Sequence, residues 1–255
     1  SEMCIRDRDT GATANVTLED TNIDTTGGAG PNGAGDAAVR TEGGGNVNLN
    51  VELDNTLQSG DTRAGVEKGN GGNLTIGSES GSGQLVATGG DGGAGIGGGE
   101  NTGAENITIT GGDIFATGNG GGAGIGGGGS QTSNAGSGTN IKITGGRVTA
   151  VGGNYSAGIG GGYGSNGENI TISDAEVIAI GGTCSAGIGG GCRNLDSTAA
   201  GEGKNISISG SANVKAAGGV GDSMDGAGAA IGAGGSHQGT TLVDAQEGDV
   251  DLSLI

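Results

Sequence analysis

The sequence predicts an all-β fold, a β-solenoid in which about seven copies of one unit stack as coils. Segments that open with Asn and then alternate apolar and polar residues recur every 27 to 36 residues. The 255 residues include 68 Gly but only three aromatic side chains, too few large side chains for an ordinary globular core. No segment has the 3.6-residue period of an amphipathic helix. Units of this length cannot bury an apolar face alone, so neighbours must stack.

Each unit opens with a predicted strand whose first residue is Asn. Runs of four to six residues rich in Ile, Val and Thr and bounded by glycines are typical of strands. Stacking predicts a first internal ladder of Ile107, Ile141, Ile170 and Ile206. We expect the Asn side chains to form a column of amides at a corner, because Asn tolerates turn conformations and bonds neighbouring backbone. The opening residues are Asn15, Asn46, Asn73, Asn106, Asn140, Asn169 and Asn205.

A second predicted strand follows a glycine turn in most units, and it begins with a charged or polar residue. Its apolar positions predict a further internal ladder of Ile114, Val148, Val177 and Val214. Asp113, Arg147 and Glu176 occupy the same place in successive units. Stacking would put them in a column about 5 Å apart with alternating sign. The column is interpreted as a structural ion ladder, with a binding or catalytic site for an acidic polysaccharide as the alternative.

The third element is glycine-rich and carries matched flanks. It reads "YSAGIGGGY" from Tyr155 to Tyr163 and "CSAGIGGGC" from Cys184 to Cys192. Matched pairs indicate that the flanks face each other across a compact loop whose Ala and Ile point inward; an extended edge strand is the alternative. Facing cysteines predict a Cys184–Cys192 disulfide and an oxidising compartment, with free buried thiols as the other interpretation. The tyrosines would form a sugar-binding platform or pack over the loop.

The coil-type repetition, the internal Ile/Val ladders and the Asn corner resemble those of right-handed parallel β-helix proteins that bacteria secrete or display. These include Gly-rich adhesin-like surface proteins and, more distantly, pectate-lyase-like enzymes. The resemblance covers roughly Asn15 to Gly235 and implies a right-handed coil. No catalytic motif of the enzymatic members can be carried onto this sequence, so no catalytic residue is predicted.

Three regions are expected along the chain. Residues 9–240 form the repeat domain. Residues 1–8, "SEMCIRDR", are expected to be a non-native leader, because they resemble translated adapter sequence joined to gene fragments from environmental DNA. Residues 241–255 form a capping strand or the truncated start of a next segment, since Val250, Leu252 and Leu254 alternate and exposed solenoid ends require a cap.

Composition limits the function classes. The net charge of −18 argues against nucleic acid or an anionic membrane as partner. No apolar run approaches the roughly 20 residues of a membrane span. A single histidine, His237, argues against a Ser-His-Asp set or a multi-histidine metal site. Calcium could bind acidic loop residues, but the specific calcium-repeat motif is absent, so solvated charge is favoured. Those residues are Asp91, Glu100, Glu105, Glu168 and Asp174.

These features predict a non-enzymatic protein of the cell surface or the extracellular space. It would act as an adhesin or stalk segment whose loops meet a glycan or protein partner. The alternative is a carbohydrate-active β-helix enzyme, either a polysaccharide lyase or a hydrolase, which would need a groove with clustered acidic and basic residues. A third interpretation, in which the solenoid is only a structural spacer, predicts no ligand.

Overall fold

The computed structural model describes residues 3–7, 11–27, 35–129, 136–193, 200–222, 225–238, 241–243 and 250–251. All the regular secondary structure in these ranges is β-strand. The strands, in chain order, are β1 (Met3–Asp7), β2 (Thr13–Glu19), β3 (Asn22–Asp24), β4 (Val39–Gly43), β5 (Asn46–Glu52), β6 (Asp54–Gln58), β7 (Val66–Lys68), β8 (Leu74–Gly77), β9 (Gln84–Asp91), β10 (Ile96–Gly97), β11 (Ala104–Ile109), β12 (Asp113–Asn119), β13 (Ile125–Gly126), β14 (Gly138–Ile143), β15 (Arg147–Val151), β16 (Ile159–Gly160), β17 (Gly167–Ser173), β18 (Glu176–Ile180), β19 (Ile188–Gly189), β20 (Gly203–Ser209), β21 (Asn213–Ala217), β22 (Ile231–Gly232), β23 (Ser236–Gln238), β24 (Thr241–Val243) and β25 (Val250–Asp251).

Three long sheets run along the molecule. Sheet A has the order β1-β4-β7-β10-β13-β16-β19-β22, and sheet B has the order β2-β5-β8-β11-β14-β17-β20-β25. Sheet C has the order β21-β18-β15-β12-β9-β6-β3. Neighbouring strands in all three sheets are parallel, as in β11 with β14 and β12 with β15. Each unit gives one strand to each sheet, so the predicted parallel β-solenoid is confirmed, close to the expected seven coils.

The predicted ladders fill the space between the sheets. Ile107, Ile141, Ile170 and Ile206 pair in succession along sheet B, preceded by Leu74. Ile114, Val148, Val177 and Val214 do the same along sheet C. Ile107, Ile141 and Ile170 have no exposed surface. Burial of apolar surface stabilises by roughly 25 cal/mol per Å², so this continuous column provides the main stabilisation that a glycine-rich chain can obtain.

The first two units stack in a different register from the one that their sequences suggest. Val16 pairs with Leu49, and Asn15 pairs with Asn48. Matching the sequence patterns of the two units aligns Asn15 with Asn46 instead. The shift is two residues, so every side chain keeps its side of the sheet, because side chains alternate with period two. Alternation therefore fixes which residues are buried but leaves this register open.

The predicted column of asparagines is present at the start of the later units. Asn106, Asn140, Asn169 and Asn205 have φ between 52° and 59°. The Asn140 amide donates to Asn106 Oδ1 (3.1 Å), Asn169 donates to Asn140 (3.1 Å), and Asn205 donates to Asn169 (2.7 Å). Asn is suited to this corner because it adopts the left-handed conformation and its amide can both donate and accept.

The glycine-rich third element is a compact turn around a two-residue strand. The backbone N–H of Ala157 donates to Gly161 O at 3.0 Å and closes the segment, and Ala186 does the same to Gly190. Ala157 and Ile159 point inward with no exposed surface. The expectation of a compact loop with inward Ala and Ile is therefore confirmed, with the addition that Ile159 and Gly160 form a strand of sheet A.

The two ends of the described chain extend the solenoid. In β1, Met3 pairs with Val39, so strand pairing begins inside the predicted leader. The non-native origin of residues 1–8 stays a prediction, because pairing does not report on it. At the other end Val250 pairs with Ile206, which extends sheet B. Leu252 and Leu254 lie outside the described residues. His237 lies in β23, which pairs antiparallel with β24.

Candidate functional site

The charged column lies on the outer face of sheet C. Asp113 pairs with Arg147, and Arg147 pairs with Glu176, as predicted. Arg147 Nη2 lies 3.2 Å from Asp113 Oδ2, and the Arg147 side chain is 57% exposed. Exposed ion pairs of this kind are worth about 0–1 kcal/mol. The column thus stabilises little, and the exposed Arg147 side chain stays accessible to a partner.

A column of three apolar residues and one threonine runs beside these charges and was missed in the sequence. Val86, Phe115, Thr149 and Ile178 follow one another on the outer face of sheet C, and all four are partly exposed. Ile180 is 41% exposed. A signal was present, because "EVIAI" is apolar at four successive positions, whereas a strand with one buried face alternates. We call this column, together with Ile180 and the adjacent charged column, the sheet C surface.

The two tyrosines pack against each other. Their ring centroids are 5.2 Å apart with a tilt of 39°. Tyr163 is 5% exposed, and its burial raises the pKa of the phenol to about 12. Tyr155 donates to Asp222 Oδ2 at 3.3 Å. A sugar needs an open ring face, so the burial of Tyr163 favours packing over the loop, whereas Tyr155 stays partly exposed.

The two cysteines lie one unit further along, in contact with the tyrosines. Cys184 and Cys192 have no exposed surface, and burial raises the pKa of both thiols. Their sulfur atoms lie within 4.8 Å of each other and of an Asp225 carboxylate oxygen. Facing flanks are thus observed, as expected. Both cysteines are free thiols in the structure, so the predicted disulfide is not formed there and stays a prediction.

Asp225 comes from the next unit and is held by Arg193. Arg193 Nε donates to Asp225 Oδ1, and both residues are buried. The backbone N–H of Asp225 donates to Asp222 Oδ1 at 2.9 Å. A buried carboxylate requires such partners, because an unpaired charge in the interior is costly. The carboxylate is therefore fixed beside the thiols.

A second buried charged group lies in the early units, where the chain reads "VEKGN" in place of "IGGG". Glu67 Oε1 lies 3.0 Å from Arg63 Nη1 and 3.4 Å from Arg40 Nε. Lys68 donates to Asn70 O, and burial lowers the pKa of its amine. Sequence reasoning missed this group, although the replacement of glycines by charged residues marked it.

The acidic loop residues considered for calcium are partly engaged by the protein. Asp174 Oδ1 accepts from the Ser211 N–H and hydroxyl at 3.0 Å each, which lowers the pKa of its carboxyl. Glu168 lies 4.0 Å from Lys204. Within the described ranges, three or more potential metal donors come together at Cys184, Cys192 and Asp225 and not among these acids.

The described residues form two open surface depressions. One, of about 190 Å³, is lined by residues of the outer face of sheet B and the turn that follows it. Its lining includes Asn48, Asn50, Thr75 and Glu79. None of the predicted ligand residues of the charged column or the tyrosine pair lines it.

Comparison with known proteins supports the repeat architecture. A family model described as a beta helix repeat matches residues 107–129, 141–163 and 170–192, and each match runs from the first Ile of a unit to its second flank position. No curated protein matches the chain, and no solved structure does either. In the described residues no helix is long and apolar enough to cross a membrane. The chain thus carries beta-helix repeats within a parallel β-solenoid.

Proposed function

We propose that this chain is a non-enzymatic segment of a secreted or cell-surface protein, acting as a rigid stalk or adhesin segment that contacts a glycan or protein partner. The observation that carries the proposal is the unbroken internal column, which joins the units from Val47 to Ile206 in sheet B through in-register strands. Coils that share one dry core bend little relative to each other, as a spacer requires.

Variable connections support a contact role in addition to a spacer role. The connection from sheet A to sheet B has two residues at 44–45, six at 98–103 and thirteen at 190–202. Loops on a rigid scaffold can change length with little effect on the core. The solenoid would hold such loops in a row along one corner.

The sheet C surface is the candidate contact face. Phe115 offers the only phenyl ring of the chain, partly exposed, beside the charges of Asp113 and Arg147. An aromatic face next to polar hydrogen-bonding groups suits a sugar ring, and the apolar Ile178 and Ile180 extend it. An open sheet face suits weak contacts repeated along a stalk more than enclosure of a small substrate.

The buried charged group is the observation that favours an enzyme as second candidate. A buried Lys68 with a lowered pKa beside Glu67 has the features of a catalytic site. However, Glu67 lies between two arginines and Lys68 donates to a backbone carbonyl, which is what a structural cluster requires. We therefore assign this group a structural role and not a catalytic one.

A glycan array combined with a polysaccharide degradation assay tests the proposal. The proposal expects binding without turnover, and expects Phe115→Ala to reduce binding at least 10-fold while Thr108→Ala, on the outer face of sheet B, leaves it unchanged. Turnover abolished by Lys68→Met would replace the proposal with the enzymatic one. Absence of binding to any glycan and to candidate surface proteins would leave the spacer role alone.

A further inference from the structure

The flank positions of the third element lie close together in successive units. A Cβ on Gly92 would be 3.1 Å from Glu100 Cβ, and a Cβ on Gly121 would be 3.2 Å from Gly129 Cα. The next unit places Tyr155 and Tyr163 there, and the one after it places Cys184 and Cys192. The scaffold itself therefore brings two side chains together at this position, and their chemistry depends only on which residues occupy it.

In the cysteine unit a carboxylate from the following unit joins the two thiols as a third potential metal ligand. Asp225 reaches the thiols from the following unit, and the two sulfurs and a carboxylate oxygen all lie within 4.8 Å of one another. All three residues are buried, with exposures of 0%, 0% and 4%. Arg193 holds one carboxylate oxygen of Asp225, and a carboxylate has another.

We propose that Cys184, Cys192 and Asp225 form a binding site for one thiophilic divalent cation, with zinc as the natural occupant. Zinc binds thiolate sulfur at about 2.3 Å and carboxylate oxygen at about 2.0–2.2 Å in tetrahedral geometry. Two sulfurs on such an ion are about 3.8 Å apart, so the donors need only small side-chain rotations to reach it. The fourth position is filled by water. The inference does not depend on the proposed function.

The site can exchange two thiol protons for one divalent cation without a change in its net charge. Cysteine thiols are ordinarily protonated at neutral pH. A divalent cation takes two thiolates, and the two thiol protons pass to water, so the ion's charge is matched by the charge created on sulfur. The Asp225 carboxylate is matched by Arg193 in either state. The buried site thus gains no net charge, and Arg193 acts as the outer partner that orients a ligating carboxylate.

The carboxylate distinguishes this site from a simple disulfide pair. A disulfide uses two sulfurs about 2.05 Å apart and has no role for a third group. In the structure both thiols are instead directed to carbonyl oxygens of the following unit. Cys184 Sγ lies 3.8 Å from Asp225 O, and Cys192 Sγ lies 3.6 Å from Gly235 O.

The test uses the full chain, reduced with a phosphine and freed of metal under anaerobic conditions. Cadmium titration is followed by the ultraviolet charge-transfer absorption of thiolate–cadmium bonds, and zinc by competition with a chromophoric chelator. We expect one ion per chain and release of two protons per ion in weakly buffered solution. Native mass spectrometry should show the same stoichiometry.

Matched variants assign the donors. Cys184→Ser and Cys192→Ser should each lower zinc affinity at least 100-fold, and Asp225→Asn should lower it about 10- to 100-fold. Cys4→Ser is the control, because Cys4 is an exposed thiol outside the site and its loss should change nothing. Circular dichroism checks that each variant is folded. If Cys192→Ser does not fold, Cys192→Ala serves as a second variant.

Three results would overturn the proposal. Binding that persists in the Cys184→Ser/Cys192→Ser double variant would assign the ion to surface acids. Unchanged affinity in Asp225→Asn would remove the third donor. A chain that is isolated as the Cys184–Cys192 disulfide and binds no zinc after reduction would assign the pair to a structural disulfide.

Discussion

The strand glycines of sheet A allow a sharp test of the fold. Gly160 has φ 134°, and a Cβ there would lie closer to Gly189 O than the 3.0 Å that real Cβ atoms keep. The same carbonyl accepts the Gly161 N–H at 2.9 Å. Gly160→Ala therefore costs roughly 1–3 kcal/mol for the backbone conformation. Displacing the carbonyl weakens a buried hydrogen bond, which costs about 1–3 kcal/mol more.

The expected loss for Gly160→Ala is thus roughly 2–6 kcal/mol of unfolding free energy. Urea denaturation followed by circular dichroism measures it, and an unchanged m-value shows that stability and not cooperativity has changed. Gly81→Ala is the matched control, because Gly81 also has positive φ (73°) but nothing lies within 4 Å of its added Cβ. It should cost about 1–2 kcal/mol. Equal losses in the two variants would refute the argument that close coil stacking requires glycine here.

Three further predictions concern the core, the charged column and the buried tyrosine. Ile170→Ala should cost about 2–5 kcal/mol, because Ile170 is fully buried in the ladder, whereas Thr171→Ala on the outer side should stay within about 0.5 kcal/mol; denaturation curves compare them. Arg147→Ala should change stability by less than about 1 kcal/mol, and a larger loss would mean that the ion ladder is structural after all. Tyr163 has a folded-state pKa of about 12, above the ordinary value of about 10, so the stability that it contributes is complete below pH 10 and is lost as pH rises toward 12. Ultraviolet titration should show a late tyrosine ionisation that Tyr163→Phe removes.

Much of the fold follows from local patterns. Alternation in "NITIT" and "NIKIT" decides which residues are buried, and repetition at about 30 residues decides that they stack, so Ile107 meets Ile141. The asparagine column follows as well, because one residue type recurs at one corner. The register of Asn15 was not predictable, since a two-residue slip preserves the same buried face.

The candidate sites were likewise predictable from the sequence only in part. The cysteine pair and the charged column were found because they occupy matched positions within repeats. Asp225 was not, because it reaches Cys184 from the next unit through a turn whose course no pattern specifies. Phe115 was not singled out from the sequence, although Ile114 and Ala116 occupy the inner positions and alternation places Phe115 on the outer face.

The sequence alone therefore determined the kind of protein this is: a stack of short strands with glycine turns, because a unit with so few large side chains can bury its apolar positions only against its own copies. Tertiary structure decided which side chains from different units meet. Such contacts depend on the strand register and on the course of the turns. Both are determined by interactions between residues that are far apart in the chain. The grouping of Asp225 with the two thiols exists only at that level.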